Sequence, residues 1–198
     1  MRYGPEHKEA ARARILGAAG RGFRKLGYGG VGVDGLASEA GVTSGAFYGH
    51  FASKAEAFEA AALAGLVELR EAIEALQVKD GAAWLARFVE FYLTTKRTCE
   101  LGESCALQSL TPEIARAEPR TRAAYEAELL RVHDAVAAGL PEGARGSRRK
   151  LAWTILAMLS GGVSLARATE DPKIGAQIAS ALKAAIATLV EQASASAG

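Results

Sequence analysis

Between Gly41 and Lys54 the chain reads Gly-Val-Thr-Ser-Gly-Ala-Phe-Tyr-Gly-His-Phe-Ala-Ser-Lys, so that hydroxyls, a phenol, an imidazole and an ammonium group follow a glycine turn. That inventory donates and accepts hydrogen bonds, and its lysine can pair with an anion. A second candidate chemistry is that of thiols, at Cys99 and Cys105. Cys105 falls at the expected start of a helix, where free N–H groups and the dipole favour thiolate, whereas Glu100 and Glu103 work against it. Cys99, six residues earlier, could act as its resolving partner. The histidines, His7, His50 and His133, lie far apart without carboxylates at metal spacing. There is no glycine-rich phosphate loop after a strand and no nucleophile elbow. Neither an enzyme, a metal nor a cofactor is expected.

Charge locates the anion-pairing capacity. Residues 1–54 hold eight Lys/Arg against four Asp/Glu, a net of +4, while the remainder is −2. A surplus confined to one end suits a polyanion-binding head on a neutral body. The 198 residues, 49% of them hydrophobic, can build a real core. No run of eighteen apolar residues occurs, and the opening Met1–Lys8 lacks the apolar stretch of an export signal, so a cytoplasmic protein without a membrane partner is expected. Two cysteines are too few for a disulfide framework.

The elements that must carry these groups read as all-α, because apolar positions recur at three and four rather than two. Ala11, Ile15, Leu16, Ala19 and Phe23 make one face of a helix over about residues 8–25, which Gly27 and the following glycines break. Val33, Leu36 and Ala37 mark a short helix ended by Gly41, and Thr43 or Ser44 caps a third, to about His50. Two short helices across a tight glycine turn form a helix-turn-helix. Ser53 and Glu56 make a capping box that opens a long helix to about residue 76. Further helices are expected at 80–97, 105–117, 119–139, 147–169 and 173–193, with a polar loop at 142–150 and disorder from Ala193 onwards. The domains expected are a head, 1–54, and a helical body, 55–198.

Residues 12–63 resemble the TetR family of bacterial transcriptional regulators. The resemblance rests on Ile15-Leu16-x-x-Ala19, Phe23-x-x-x-Gly27-Tyr28, Leu36-Ala37-x-x-Ala40-Gly41-Val42, Gly45-x-Phe47-Tyr48-x-His50-Phe51-x-Ser53-Lys54 and Phe58. It implies that Phe47 and Phe51 pack inward while Thr43, Ser44, Gly45, Tyr48, Gly49, His50 and Lys54 meet the major groove and phosphates of a double-stranded operator. Val31 and Gly32 stand where relatives often have a hydroxyl, and Ser44 where they often have a base, which leaves Arg12, Arg14 or Arg24 to contribute phosphate contacts.

The same resemblance implies a homodimer on a palindromic operator. Its interface is expected on the last two helices, from Leu151, Ile155, Leu159 and Gly162 and from Ile174, Ile178, Leu182 and Ile186. A pocket for an unidentified small molecule is expected among Trp84, Phe88, Phe91, Tyr92, Leu107, Tyr125, Leu129, His133 and Trp153. The function expected is a ligand-responsive repressor. The alternative is a redox- or electrophile-sensing repressor that uses Cys105, since 102–107 is similar to the Gly-Cys region of oxidant-sensing members.

Overall fold

The computed structural model describes residues 5–141 and 145–195, with side chains from Lys8 to Pro141 and from Arg148 to Ala195. Among these residues the structure is helical and contains no strand. The elements are α1 Pro5–Gly30, α2 Val33–Glu39, α3 Ser44–Tyr48, α4 Lys54–Asp80, α5 Trp84–Phe91, α6 Ala106–Ser109, α7 Thr111–Ile114, α8 Pro119–Gly139, α9 Arg145–Arg167 and α10 Pro172–Ala195. A π-helical stretch, Tyr92–Lys96, extends α5. The chain forms two compact units: residues up to Gly65 with Glu100–Tyr125, and Leu66–Cys99 with Glu126 onwards.

In the first unit Ile15, Ala18, Ala19 and Phe23 of α1 are buried with Leu36 and Ala37 of α2, Phe47 of α3, Phe51, and Phe58 of α4. Phe58 meets Phe23 edge-on at 5.2 Å and Tyr28 at 5.1 Å. Gly22 lets α2 come close, because a Cβ there would sit 2.7 Å from Leu36 Cδ2. The expected break at Gly27 is present: its φ of 74° interrupts α1, which resumes for one turn. Packing extends this unit past the three-helix head expected to end at residue 54. Gly65 of α4 lies against α6, where an added Cβ would be 2.3 Å from Ala106 Cβ.

Two expected helices divide. The 105–117 segment becomes α6 and α7, because Pro112 cannot donate to the carbonyl four residues back and its ring crowds that carbonyl. The 80–97 segment opens with a 3₁₀ turn at Gly81–Ala83, where Gly81 has φ 51°. The expected loop at 142–150 is helical from Arg145, since arginine and lysine favour helix once a turn has started; residues 142–144 lie outside the described ones. Helix α10 continues through Ala195, so expected disorder at 193–195 is not found, and 196–198 lie outside the described residues.

In the second unit α9 packs along α10. A Cβ on Gly162 would overlap Leu182 Cδ1, so the two helices approach closely there. Trp84, Phe88 and Tyr92 are buried in a row, and Trp84 Nε1 donates to the Gly139 carbonyl at 2.7 Å. Helix α10 is long and apolar enough to cross a membrane by length and composition, with a mean hydropathy of 1.3. Lys173, Gln177 and Lys183 interrupt the stretch, so it holds no run of eighteen apolar residues. One such helix, paired with α9, is weak evidence for a membrane.

Candidate nucleic-acid interface

The outward groups of α3 are set by what lies immediately before it. Gly41 adopts φ 67° and donates to the Ser38 carbonyl, and Val42 donates to the Ala37 carbonyl, which turns the chain out of α2. Thr43 is extended and caps α3, its Oγ1 accepting from Ala46 N at 3.2 Å. Phe47 and Phe51 are fully buried, 5.6 Å apart. With those two rings fixed inward, helical geometry turns Tyr48 out, and it is 54% exposed with its ring edge-on to Phe47. Gly45 and Gly49 are exposed, leaving backbone accessible on that side.

His50 is half-buried, and its Nδ1 is buried without a hydrogen-bond partner. Lys54 Nζ lies 4.4 Å from the Tyr28 ring centroid, a cation–π contact at the first residue of α4. That helix is capped by Ser53 Oγ, which accepts from Glu56 N at 3.1 Å, while Glu56 reaches back to Ala52 N at 2.7 Å. The box thus closes one residue earlier than its usual form.

The arginines divide. Arg12 covers the Phe51 ring at 4.7 Å and Arg14 is exposed, but Arg24 donates to the Gly102 carbonyl at 2.7 Å and Arg21 pairs with Glu39. Arg24 is therefore tied into the unit rather than free to reach a phosphate. Sequence reasoning passed over Asp34, whose Oδ1 accepts from Ser44 Oγ at 2.5 Å. Its only signal in the sequence is a carboxylate in the first turn of α2.

The expected pocket residues are not all together. Trp84, Phe88 and Tyr92 line one face, their ring centroids 6.2 and 5.6 Å apart, whereas Phe91 points outward and is 45% exposed. Two steps of four along α5 keep the first three in register, and Phe91 falls off that stripe. His133 is fully buried beneath Trp153, their ring centroids 4.3 Å apart. Its Nδ1 meets Asp134 Oδ1 at 2.8 Å and its Nε2 meets the Arg149 carbonyl at 2.9 Å, joining α8 to α9. Asp134 also accepts from Arg149, and hydrogen bonding to His133 is the largest cause holding its carboxyl below the usual range. Leu129 is half-buried.

Leu107 and Tyr125 belong to the first unit. There the Tyr125 hydroxyl meets Thr111 Oγ1 at 2.6 Å, and burial pushes its phenol up to about 12. Cys105 stands at the start of α6 as expected, without a side-chain capping bond, but α6 has only four residues and Cys105 is 8% exposed. Cys99 belongs to the second unit, where Arg167 Nη2 lies 3.1 Å from its sulfur. Among the described residues no group of His, Cys, Asp and Glu could hold a metal.

The expected dimer stripe on α9 faces inward. Leu151, Ile155, Leu159 and Gly162 are all buried within the chain, as is Ile186 of α10. The apolar periodicity of α9 was spent on the unit's own core. Its outward positions are Trp153, Ala157, Gly161 and Leu165, while on α10 Ile174 is exposed and Ile178 and Leu182 are half-buried.

Comparison with known proteins agrees with this geometry. Residues 15–61 match the family described as bacterial regulatory proteins, tetR family. Among solved structures, a TetR-family transcriptional regulator from Streptomyces coelicolor superposes with a TM-score of 0.74 at 20% identity, covering 94% of this chain and 97% of that one. A TetR-family regulator from Agrobacterium tumefaciens gives 0.73 at 17% identity, with 94% and 98% covered. The fatty acid degradation regulator of Bacillus halodurans gives 0.67 at 16% identity, with 96% and 97% covered. At these identities the likeness is one of fold. No match is found among curated proteins.

Proposed function

We propose that this chain, whose residues 15–61 match the tetR family of bacterial regulatory proteins and whose fold is similar to that of TetR-family structures, is a DNA-binding transcriptional regulator, a ligand-responsive repressor that holds a palindromic operator as a homodimer. The observation that carries the reading is α3 itself, with Phe47 and Phe51 buried behind it and Thr43, Ser44, Gly45, Tyr48, Gly49 and His50 on or beside its outer side. Tyr48 and the Thr43 hydroxyl serve as groove contacts, and Lys54 as a phosphate contact that leaves Tyr28 when DNA arrives. Tyr48 is 54% exposed on a five-residue helix capped by Thr43, and its ring contact with Phe47 leaves much of the side chain open to a partner.

The dimer face in this proposal is the outer side of α9, Trp153, Ala157, Gly161 and Leu165, together with exposed α10. A Cβ on Gly161 would meet nothing within 4 Å, which leaves room for a second helix to approach. The effector is an apolar or aromatic molecule bound by the second unit, where Trp84, Phe88 and Tyr92 supply an apolar wall. It acts by favouring a form of the dimer whose heads no longer match the half-sites. The burial of Cys105 weighs against that thiol as the sensor.

The test is titration of the purified protein against its own upstream DNA by fluorescence anisotropy. Saturable submicromolar binding is expected, with at least a tenfold loss for Tyr48→Ala combined with Lys54→Ala, as about two direct contacts are removed. Equal affinity for parent and double variant would overturn the assignment of α3 as the reading element.

A further inference from the structure

Resting on α3 as the DNA-reading element, we infer that Asp34 and Ser44 form one base-selective unit which accepts hydrogen bonds and does not donate them. Ser44 opens α3 and Asp34 lies in the first turn of α2, so the pair spans the two helices of the helix-turn-helix, Asp34 exposed and Ser44 half-buried. The Ser44 hydroxyl has a single proton, and it is committed to Asp34 Oδ1 at 2.5 Å. What Ser44 Oγ still offers outward is its lone pairs. Asp34 is exposed, and its other oxygen has no hydrogen-bond partner among the described residues, so it offers lone pairs as well.

An acceptor-only pair is an unusual surface to bring to a polyanion. Facing phosphate it is repulsive, which disfavours registers that slide it onto the backbone. Facing the major groove it finds donors at two places alone: the N6 amine of adenine and the N4 amine of cytosine. Guanine O6 and N7 and thymine O4 are acceptors, and they leave both groups unpaired. Every base pair has one amine-bearing and one keto-bearing base, so the pair reads strand polarity: A or C on the strand it faces, G or T rejected. A free serine, which donates or accepts at will, would not make this distinction. Asp34 therefore converts a permissive hydroxyl into a selective one.

The experiment is selection of a random duplex library by the full chain, repeated with Asp34→Asn and Ser44→Ala, each checked by circular dichroism. The parent is expected to favour A or C over G or T about tenfold at one position of each half-site, the worth of one good base contact. Asp34→Asn keeps an oxygen for Ser44 but turns an amide N–H₂ outward, so preference at that position should move toward G or T with the rest of the motif unchanged. Ser44→Ala should weaken the preference about threefold to tenfold. A parent motif in which no position separates A or C from G or T overturns the inference, as does an Asp34→Asn motif identical to the parent's. Failure of the folded parent to enrich any sequence would instead overturn the DNA-reading assignment on which the pair depends.

Discussion

At the scale of single residues, orientation is decided by which neighbour is already buried. Tyr48 is outward because Phe47 and Phe51 are inward, and Ser44 faces Asp34 because Thr43, not Ser44, took the cap. The same rule governs His133, which lies under Trp153 with one nitrogen on Asp134 and the other on a backbone carbonyl. Asp134 titrates below its ordinary value in the folded chain, so the unfolded state binds its proton first as pH falls. Its contribution is therefore present above about pH 4 and lost as pH drops through the lowered folded value. Asp134 is largely exposed, and so its worth is small, of order 1 kcal/mol or less. Urea unfolding of Asp134→Asn should show a loss of that order at pH 7 that is smaller at pH 3. A deficit of equal size at both pH values would mean that the carboxylate charge is not what joins α8 to α9 here.

At the scale of elements, the helix ends were readable and the divisions within helices were not. Gly27, Gly41 and the Ser53–Glu56 box lie where local chemistry requires a break or a cap, and no distant contact can change that. The separation of α6 from α7 needed Pro112 to be weighed against a continuing apolar pattern, and the early start of α9 overrode a run of charged residues. The close approach of α4 and α6 was invisible, because nothing in the sequence pairs Gly65 with Ala106. Gly65→Ala would force backbone against a short side chain that cannot swing away, and should destabilise the protein by about 1–3 kcal/mol. Chemical denaturation measures this, and a change within about 0.5 kcal/mol would show that the two helices part easily.

At the scale of the whole molecule, the dimer reading depends on which side of α9 the chain leaves uncovered. Leu165 is 64% exposed and supports no internal packing comparable to that of Leu159, so Leu165→Glu should leave the folded protomer intact. Sedimentation should then report a shift toward monomer, accompanied by weaker operator binding, since two linked heads bind far more tightly than one. A stable dimer of the variant would move the interface elsewhere.

What the sequence determined by itself was the kind of element and the helix-turn-helix. Helical periodicity, glycine turns and caps are local properties, and the Phe47-Tyr48-x-His50-Phe51 spacing places inward and outward groups through α3 and the turn that follows it. What only the tertiary structure decided was the use of each apolar stripe. A helix shows the same periodicity whether its stripe meets its own chain or a second copy, so Leu151, Ile155 and Leu159 were read as an interface and proved to be core. Phe91 and Phe88 are likewise the same residue type three positions apart, yet one is 45% exposed and the other buried. The bond between Asp34 and Ser44 belongs to the same category, because it depends on the angle at which α2 and α3 meet, and that angle is set by packing behind both helices.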